Sequence, residues 1–270
     1  MFNLGKFSLI ILTRCNLRCR LCCEYVPKNK PFEDMTIGQE QAILDAFFNV
    51  VDHVNILHLT GGGEPFLHPE LSGLIEKAME YKEHFDNLML FTNGTVPMCD
   101  NVLDTMVKHN NKILLQVSQY HIRPEIEKEN EKILIQNRIN CRVRKYYGDN
   151  QDFGGWVDFG NWKSRNRSTA DLNTIFHECS VTRVMNGNWR TRDGKVHWCS
   201  RSQRGTELGL IPDNSDYYID LFDKNESITD KQNKFLRIAN GTFLYACDYC
   251  SGDQGTDDMK KRHPAAEQIV

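Results

Sequence analysis

The sequence predicts an α/β fold: a parallel sheet wound with helices into a partial (β/α)5-6 TIM-like barrel, followed by a small cysteine-rich C-terminal domain. Three observations predict it. Before about residue 150, short β-rich runs alternate with amphipathic helical patterns five times, the signature of a parallel sheet with right-handed crossovers. The notable motifs of that half all follow strands, where active-site loops gather on such a sheet. Past residue 150 the alternation stops, and four further cysteines appear. The expected division is 1–165 for the barrel and 166–270 for the second domain.

The elements follow in order. FSLIILT (7–13) is a buried strand. Thr36-Ile-Gly-Gln39 is a capping box, and Ile43, Leu44, Phe47, Val50 and Val51 recur behind it at helical spacing. NILHLT (55–60) is the second strand and residues 68–85 the second helix. NLMLFTN (87–93) is the third strand, followed by a helix over 99–109. KILLQVS (112–118) is the fourth strand; Pro124 suits the first turn of the next helix, and CRVRKYY (141–147) is the fifth strand. Residues 148–170 read as a linker or active-site loop. Asp193-Gly194 inside NWRTRDGKVHWC marks a hairpin turn. The segment 259–270 is either a loose tail or a strap folded back over the domain.

Bulk properties narrow the class. A chain of 270 residues buries a sizeable core, and 40% hydrophobic content is ordinary for a globular protein. No apolar run approaches the roughly 18 residues that span a bilayer. The N-terminal stretch lacks a basic region and cleavage site, so a cytoplasmic protein without membrane partners is expected. A net charge of −3 gives no general pull toward nucleic acid. The local basic stretches 138–145 and 162–167 are solvated faces or anion contacts. Ten clustered cysteines point to metal and not to disulfides.

Cys15, Cys19 and Cys22 are spaced C-x3-C-x2-C on the loop leaving the first strand. Zinc ribbons prefer cysteine pairs matched elsewhere, whereas this self-contained triad suits a 4Fe–4S cluster with one iron lacking a thiolate. Cys23 adjoins Cys22 and is expected to point elsewhere. After the second strand, Gly61-Gly62-Gly63-Glu64-Pro65 brings backbone groups close to a small ligand.

Together these two motifs resemble the radical S-adenosylmethionine (SAM) superfamily, over most of residues 7–147. The resemblance implies that the open iron chelates SAM, whose reductive cleavage yields a 5′-deoxyadenosyl radical that abstracts a substrate hydrogen atom. It implies an external one-electron reductant of flavodoxin or ferredoxin type. It places Gly61, Gly62 and Glu64 by the SAM amino group and Asn93 and Ser118 by its ribose or methionyl part; Gly63 in the same turn and Arg144 near the end of the fifth strand are further candidate cofactor contacts. One departure is Leu21, which stands where the family usually has an aromatic residue before the third cysteine, so adenine is expected to pack differently in detail.

Cys179, Cys199, Cys247 and Cys250 form C-x14-G-x4-C plus C-x2-C. That pattern resembles the twitch domain, a shortened SPASM domain holding one auxiliary 4Fe–4S cluster. Four thiolates close such a site and suit it to electron transfer; structural zinc is the alternative. The expected activity is two-electron oxidation of a small polar substrate, such as a sugar or cyclitol, with the auxiliary cluster as electron acceptor. Family dehydrogenases of aminocyclitols are similar in size and in having a twitch domain. Epimerisation is the first alternative, with Cys99 returning a hydrogen atom, since Cys141 begins the fifth strand at the wrong end. Ribosomal-peptide modification is the second, disfavoured because the chain starts directly in strand one without a leader-binding domain. A non-catalytic iron–sulfur or zinc module is the reading from another class. Gln119, Tyr120, His121, Arg144 and Tyr146 follow strands four and five as substrate contacts. Among them His121 is a candidate general base, and Tyr146 is grouped with His121 and Cys99 as a catalytic candidate.

Overall fold

A computed structural model describes residues 1–28, 30–252 and 261–269. Its strands are β1 (Asn3–Ile10), β2 (His53–Thr60), β3 (Phe85–Thr92), β4 (Ile113–Gln119), β5 (Cys141–Lys145), β6 (Trp189–Thr191), β7 (Lys195–His197) and β8 (Tyr218–Asp220). Its helices are α1 (Ile37–Phe48), α2 (Leu71–Met79), α3 (Asp100–Lys108), α4 (Pro124–Gln136), α5 (Thr169–Glu178), α6 (Ser180–Arg183), α7 (Ser200–Glu207) and α8 (Ile228–Ala239). The strands form one open sheet in the order β5-β4-β3-β2-β1-β6-β7-β8. Strands β5 through β6 run parallel in that order, and β7 and β8 continue antiparallel. This is the expected α/β partial barrel.

The alternation of side chains decides which face holds the core. In β4, Ile113, Leu115 and Val117 are buried under the helices, whereas Leu114, Gln116 and Ser118 are half-buried on the inner face. Phe7 and Leu9 of β1 and Leu57 and Leu59 of β2 join the same outer layer, where Phe7 stacks on Phe47 of α1 at 3.6 Å. The Thr36–Gln39 capping box forms as the sequence predicts, and Pro124 starts α4 at its first turn.

Boundaries moved where tertiary contacts take over from pattern. β1 starts at Asn3, because it pairs with β2 from Asn3↔His53 onward. It ends at Ile10: the buried residues 11–13 carry the chain off the sheet, with the Ile11 carbonyl accepting from Met35 N at 2.8 Å. The second helix stops at Met79, and a 3-10 turn over Lys82–His84 leads into β3.

The Asp193-Gly194 hairpin is present, with Gly194 at φ +96° and Arg190 opposite His197. Its first strand pairs parallel with β1, Phe7↔Trp189 to Leu9↔Thr191, so the sheet runs unbroken past residue 165. Of the segment 259–270, residues 259, 260 and 270 lie outside the described residues. The stretch from Arg262 to Ile269 folds back, bridging Trp156 through His263 and Cys19 through Gln268.

Candidate active site

The C-terminal edge of the sheet collects the motif loops. Arg14, just ahead of the first cysteine, forms a bidentate ion pair with Asp34 (2.6 Å at its shortest) and donates to the Leu67 carbonyl at 2.5 Å. Its own carbonyl accepts from Glu64 N at 2.9 Å. The glycine turn therefore lies backbone to backbone against the cysteine loop. A Cβ on Gly63 would overlap the Arg14 carbonyl, so only glycine fits there.

Glu64 is 1% exposed and ties this turn to the end of β3. Its carboxylate accepts from Phe66 N (3.1 Å), Thr92 Oγ1 (2.8 Å) and Asn93 N (2.6 Å). Burial pushes its pKa up to about 7, opposed by those three donors. Asn93 in turn donates its side-chain amide to Asn16 Oδ1 at 3.0 Å and to Cys15 Sγ at 3.6 Å. Glu64 and Asn93 thus knit the loops after β1, β2 and β3 together.

Cys15, Cys19 and Cys22 pack with Leu17, Tyr120, Ile122, Trp156 and Ala266 in one apolar cluster. Burial raises the Cys15 thiol to about 12 and the Cys19 thiol to about 11, and it raises Cys22 as well. Amide donors nevertheless point at the sulfurs: Leu17 N to Cys15 at 3.4 Å and Gln268 Nε2 to Cys19 at 3.3 Å. Thiols partly or wholly withdrawn from water that resist ionising alone, yet are met by N–H donors, fit a group whose cationic irons ionise them. Among the described residues, no three Cys, His, Asp or Glu side chains surround a single metal-ion position. Cys23 is exposed.

The inner face of the sheet is polar. Ser8 Oγ meets His58 Nδ1 at 3.0 Å, and burial, with Lys6 and Arg190 nearby, drives the His58 pKa down to about 3, keeping the ring neutral. Arg190, 4% exposed, forms a bidentate pair with Glu24 (2.7 and 2.8 Å) and reaches Gln203 Oε1 at 2.6 Å. From β4 and β5, Ser118 lies beside Tyr120 and Arg144 beside Tyr146. Tyr120 stacks on Tyr146 at 5.3 Å and meets the Trp156 edge at 5.6 Å. Arg144 lies over Phe153 at 4.8 Å, and its Nε is buried without a hydrogen-bond partner.

Other candidates lie on the outer side of this wall or beyond it. His121 is exposed in the left-handed region (φ +59°), stacked on Tyr147 at 4.9 Å. Cys99 is exposed at the N-cap of α3, and Cys141 begins β5. Gln119 points to the other side of β4, its amide 3.3 Å from Glu131 of α4, and does not face the cavity. Glu24, His58, Trp156 and Arg190 escaped the sequence reading. None of the four carried a local sequence signal that set it apart.

Cys179, Cys199, Cys247 and Cys250 line one cavity together with Phe176, Trp198, Arg201 and Leu244. Ser202 N donates to Cys199 Sγ at 3.4 Å and Gly252 N to Cys250 Sγ at 3.3 Å. Arg167 Nη1 holds the Cys247 and Cys250 carbonyls, both at 2.8 Å. Arg201, 5% exposed, reaches from the Tyr249 carbonyl (2.9 Å) and the Asn161 carbonyl (2.5 Å) to the Tyr25 hydroxyl. It therefore joins the second thiol set to the loop of the first.

Comparisons with known proteins bear on the family and the fold. The family model described as the radical SAM superfamily matches residues 9–146. A curated relative, GTP 3′,8-cyclase of Campylobacter jejuni subsp. doylei, is 27% identical over 92 residues, which is 34% of this chain and 28% of that protein. The chain thus matches little more than a quarter of that relative's length. The crystal structure of BtrN in complex with AdoMet and 2-DOIA is similar with a TM-score of 0.60 and 14% identity, covering 100% of this chain and 99% of that one. Native anSMEcpe with bound AdoMet and a Kp18Cys peptide is similar with a TM-score of 0.54 and 13% identity, over 90% and 84% of the two chains. At these identities the two structures share the fold.

Proposed function

The chain belongs to the radical SAM superfamily, and from that premise we propose that it oxidises a small polar substrate, a sugar or cyclitol, by two electrons. In this reading Cys15, Cys19 and Cys22 hold the SAM-binding 4Fe–4S cluster, and Cys179, Cys199, Cys247 and Cys250 hold an auxiliary one in a twitch domain. When bound, SAM and the two clusters supply the 5′-deoxyadenosyl radical and an acceptor for the electron left on the substrate.

The chain's own residues bind and orient. Glu64 and Asn93 hold the three loops around SAM, with the glycine turn offering its backbone to the amino group. Ser118 and Arg144 border the cofactor on the inner face. Tyr146, kept neutral by burial and lying beside Arg144, directs a substrate hydroxyl, and His121, the neighbour of Tyr120 at the outer rim, takes its proton. The aromatic wall of Tyr120, Tyr146 and Trp156 excludes water.

The observation that supports oxidation, over a reaction with no net electron transfer, is the convergence of four cysteines on one apolar cavity linked by Arg201 to the first cysteine loop. The test is the double variant Cys247→Ala, Cys250→Ala, purified anaerobically. Retained SAM cleavage with loss of substrate oxidation and of about four iron and four sulfide per chain supports the reading. Full oxidation by the variant, or a loss of zinc with the iron content unchanged, sinks it. Peptide modification is the second reading, favoured by the peptide held in the anSMEcpe structure of like fold.

A further inference from the structure

We propose that Gln268 is a positioning residue of the SAM-binding cluster, and that the segment 262–269 is a strap that sets that cluster's reduction potential. This rests on the reading that Cys19 is a cluster ligand. The strap is attached at both ends of its described length. Trp156 and His263 exchange two backbone hydrogen bonds at 2.8 Å. At the cysteine loop, Arg20 N donates to the Glu267 carbonyl (2.7 Å) and Ile269 N to the Arg18 carbonyl (2.8 Å). Arg20 and Glu267 add an ion pair at 2.7 Å. Between these points Ala266, 3% exposed, is packed with Leu17 and Cys19.

This scaffold leaves the Gln268 side chain one orientation. Its Oε1 accepts from Arg18 N at 2.7 Å, which turns Nε2 toward Cys19 Sγ at 3.3 Å, with the Ala266 carbonyl as a second acceptor at 2.5 Å. The backbone fixes which end is the amide nitrogen, since Arg18 N can only donate. An N–H donor on a thiolate favours the more negative, reduced state of a cluster, and such bonds are a recognised determinant of cluster potential. Asn93 and Leu17 N play the same part at Cys15 from within the barrel; Gln268 does so from a segment some 249 residues away in sequence.

The test is an EPR-monitored redox titration of the full chain, following the signal that changes on adding SAM. Gln268→Ala is expected to lower the ratio of reduced to oxidised cluster at a fixed potential two- to tenfold, tenfold corresponding to about 59 mV for one electron. Gln268→Glu keeps the shape and the Arg18 contact but replaces the donor with a carboxylate, so it should load iron normally and lower the ratio further. Gln268→Asn, too short to reach, should match Ala. Wild-type titration of both the Ala and the Glu variants overturns the proposal. A SAM-responsive signal that survives Cys19→Ala overturns it in a different way, by removing Cys19 from the ligand set.

Discussion

Replacing Arg201 by alanine should loosen the seam between the two cysteine sets more than any other single truncation there. The guanidinium is 5% exposed, stacks on Trp162 at 3.5 Å, and donates to the carbonyls of Gly160, Asn161 and Tyr249 and to the Tyr25 hydroxyl. Truncation leaves three carbonyls short of a donor, at about 1–3 kcal/mol for each one that water does not reach. It also removes a cation from the face of Trp162, about 2 kcal/mol when desolvated. Because the loops relax in part, the net loss is about 3–5 kcal/mol. Anaerobic urea unfolding measures it, and hydrogen exchange should show faster opening of 159–162 and 245–251. Arg201→Lys should recover less than half, since one ammonium does not span carbonyls on two loops. An alanine variant within 1 kcal/mol of wild type, with unchanged exchange in both loops, refutes the reasoning.

Gly63→Ala forces a Cβ into the Arg14 carbonyl, so the glycine turn must shift; SAM affinity by equilibrium dialysis should fall at least tenfold while the chain stays folded by circular dichroism. Glu40 is fully buried on α1 with neither carboxylate oxygen hydrogen-bonded, and burial raises its pKa to about 9. The folded state then holds a proton that the unfolded state releases above about 4.5, so stability is full below that pH and declines as pH rises toward 9. Between pH 7 and 8.5, above the range where the buried His58 and His197 contribute, urea midpoints should report a loss of about 2 kcal/mol; Glu40→Gln should flatten that slope, and an unflattened slope contradicts the assignment. Tyr146→Phe should leave SAM cleavage intact and slow substrate oxidation at least tenfold, read by product formation against 5′-deoxyadenosine release.

The barrel half was legible because its signals are local. Thr36-Ile-Gly-Gln39 is a capping box in sequence and in structure, and the 2-residue period of β4 states which face is buried. The cysteine and glycine motifs fell on one edge because parallel strands put every following loop there. The C-terminal third was harder to read because its order is set by distant partners. β6 is three residues long and exists because β1 offers an open edge. α8 did carry a readable start, the Ser227–Asp230 capping box, but its helix stands amid polar sequence. Inner-face residues such as His58 and Arg190 were invisible for a physical reason: a polar side chain inside a strand reads as solvent-facing until the sheet's curvature encloses it.

The central claim is that Cys15, Cys19 and Cys22 hold the cluster at which SAM is cleaved. The direct measurement is 5′-deoxyadenosine released from SAM by the anaerobically reconstituted, dithionite-reduced chain, compared with Cys15→Ala, Cys19→Ala, Cys22→Ala and Cys23→Ala. Release by the wild type and by the Cys23 variant, and none by the other three, is the predicted result. Release that survives loss of any of the three, or none from a wild-type protein fully loaded with iron and sulfide, contradicts it.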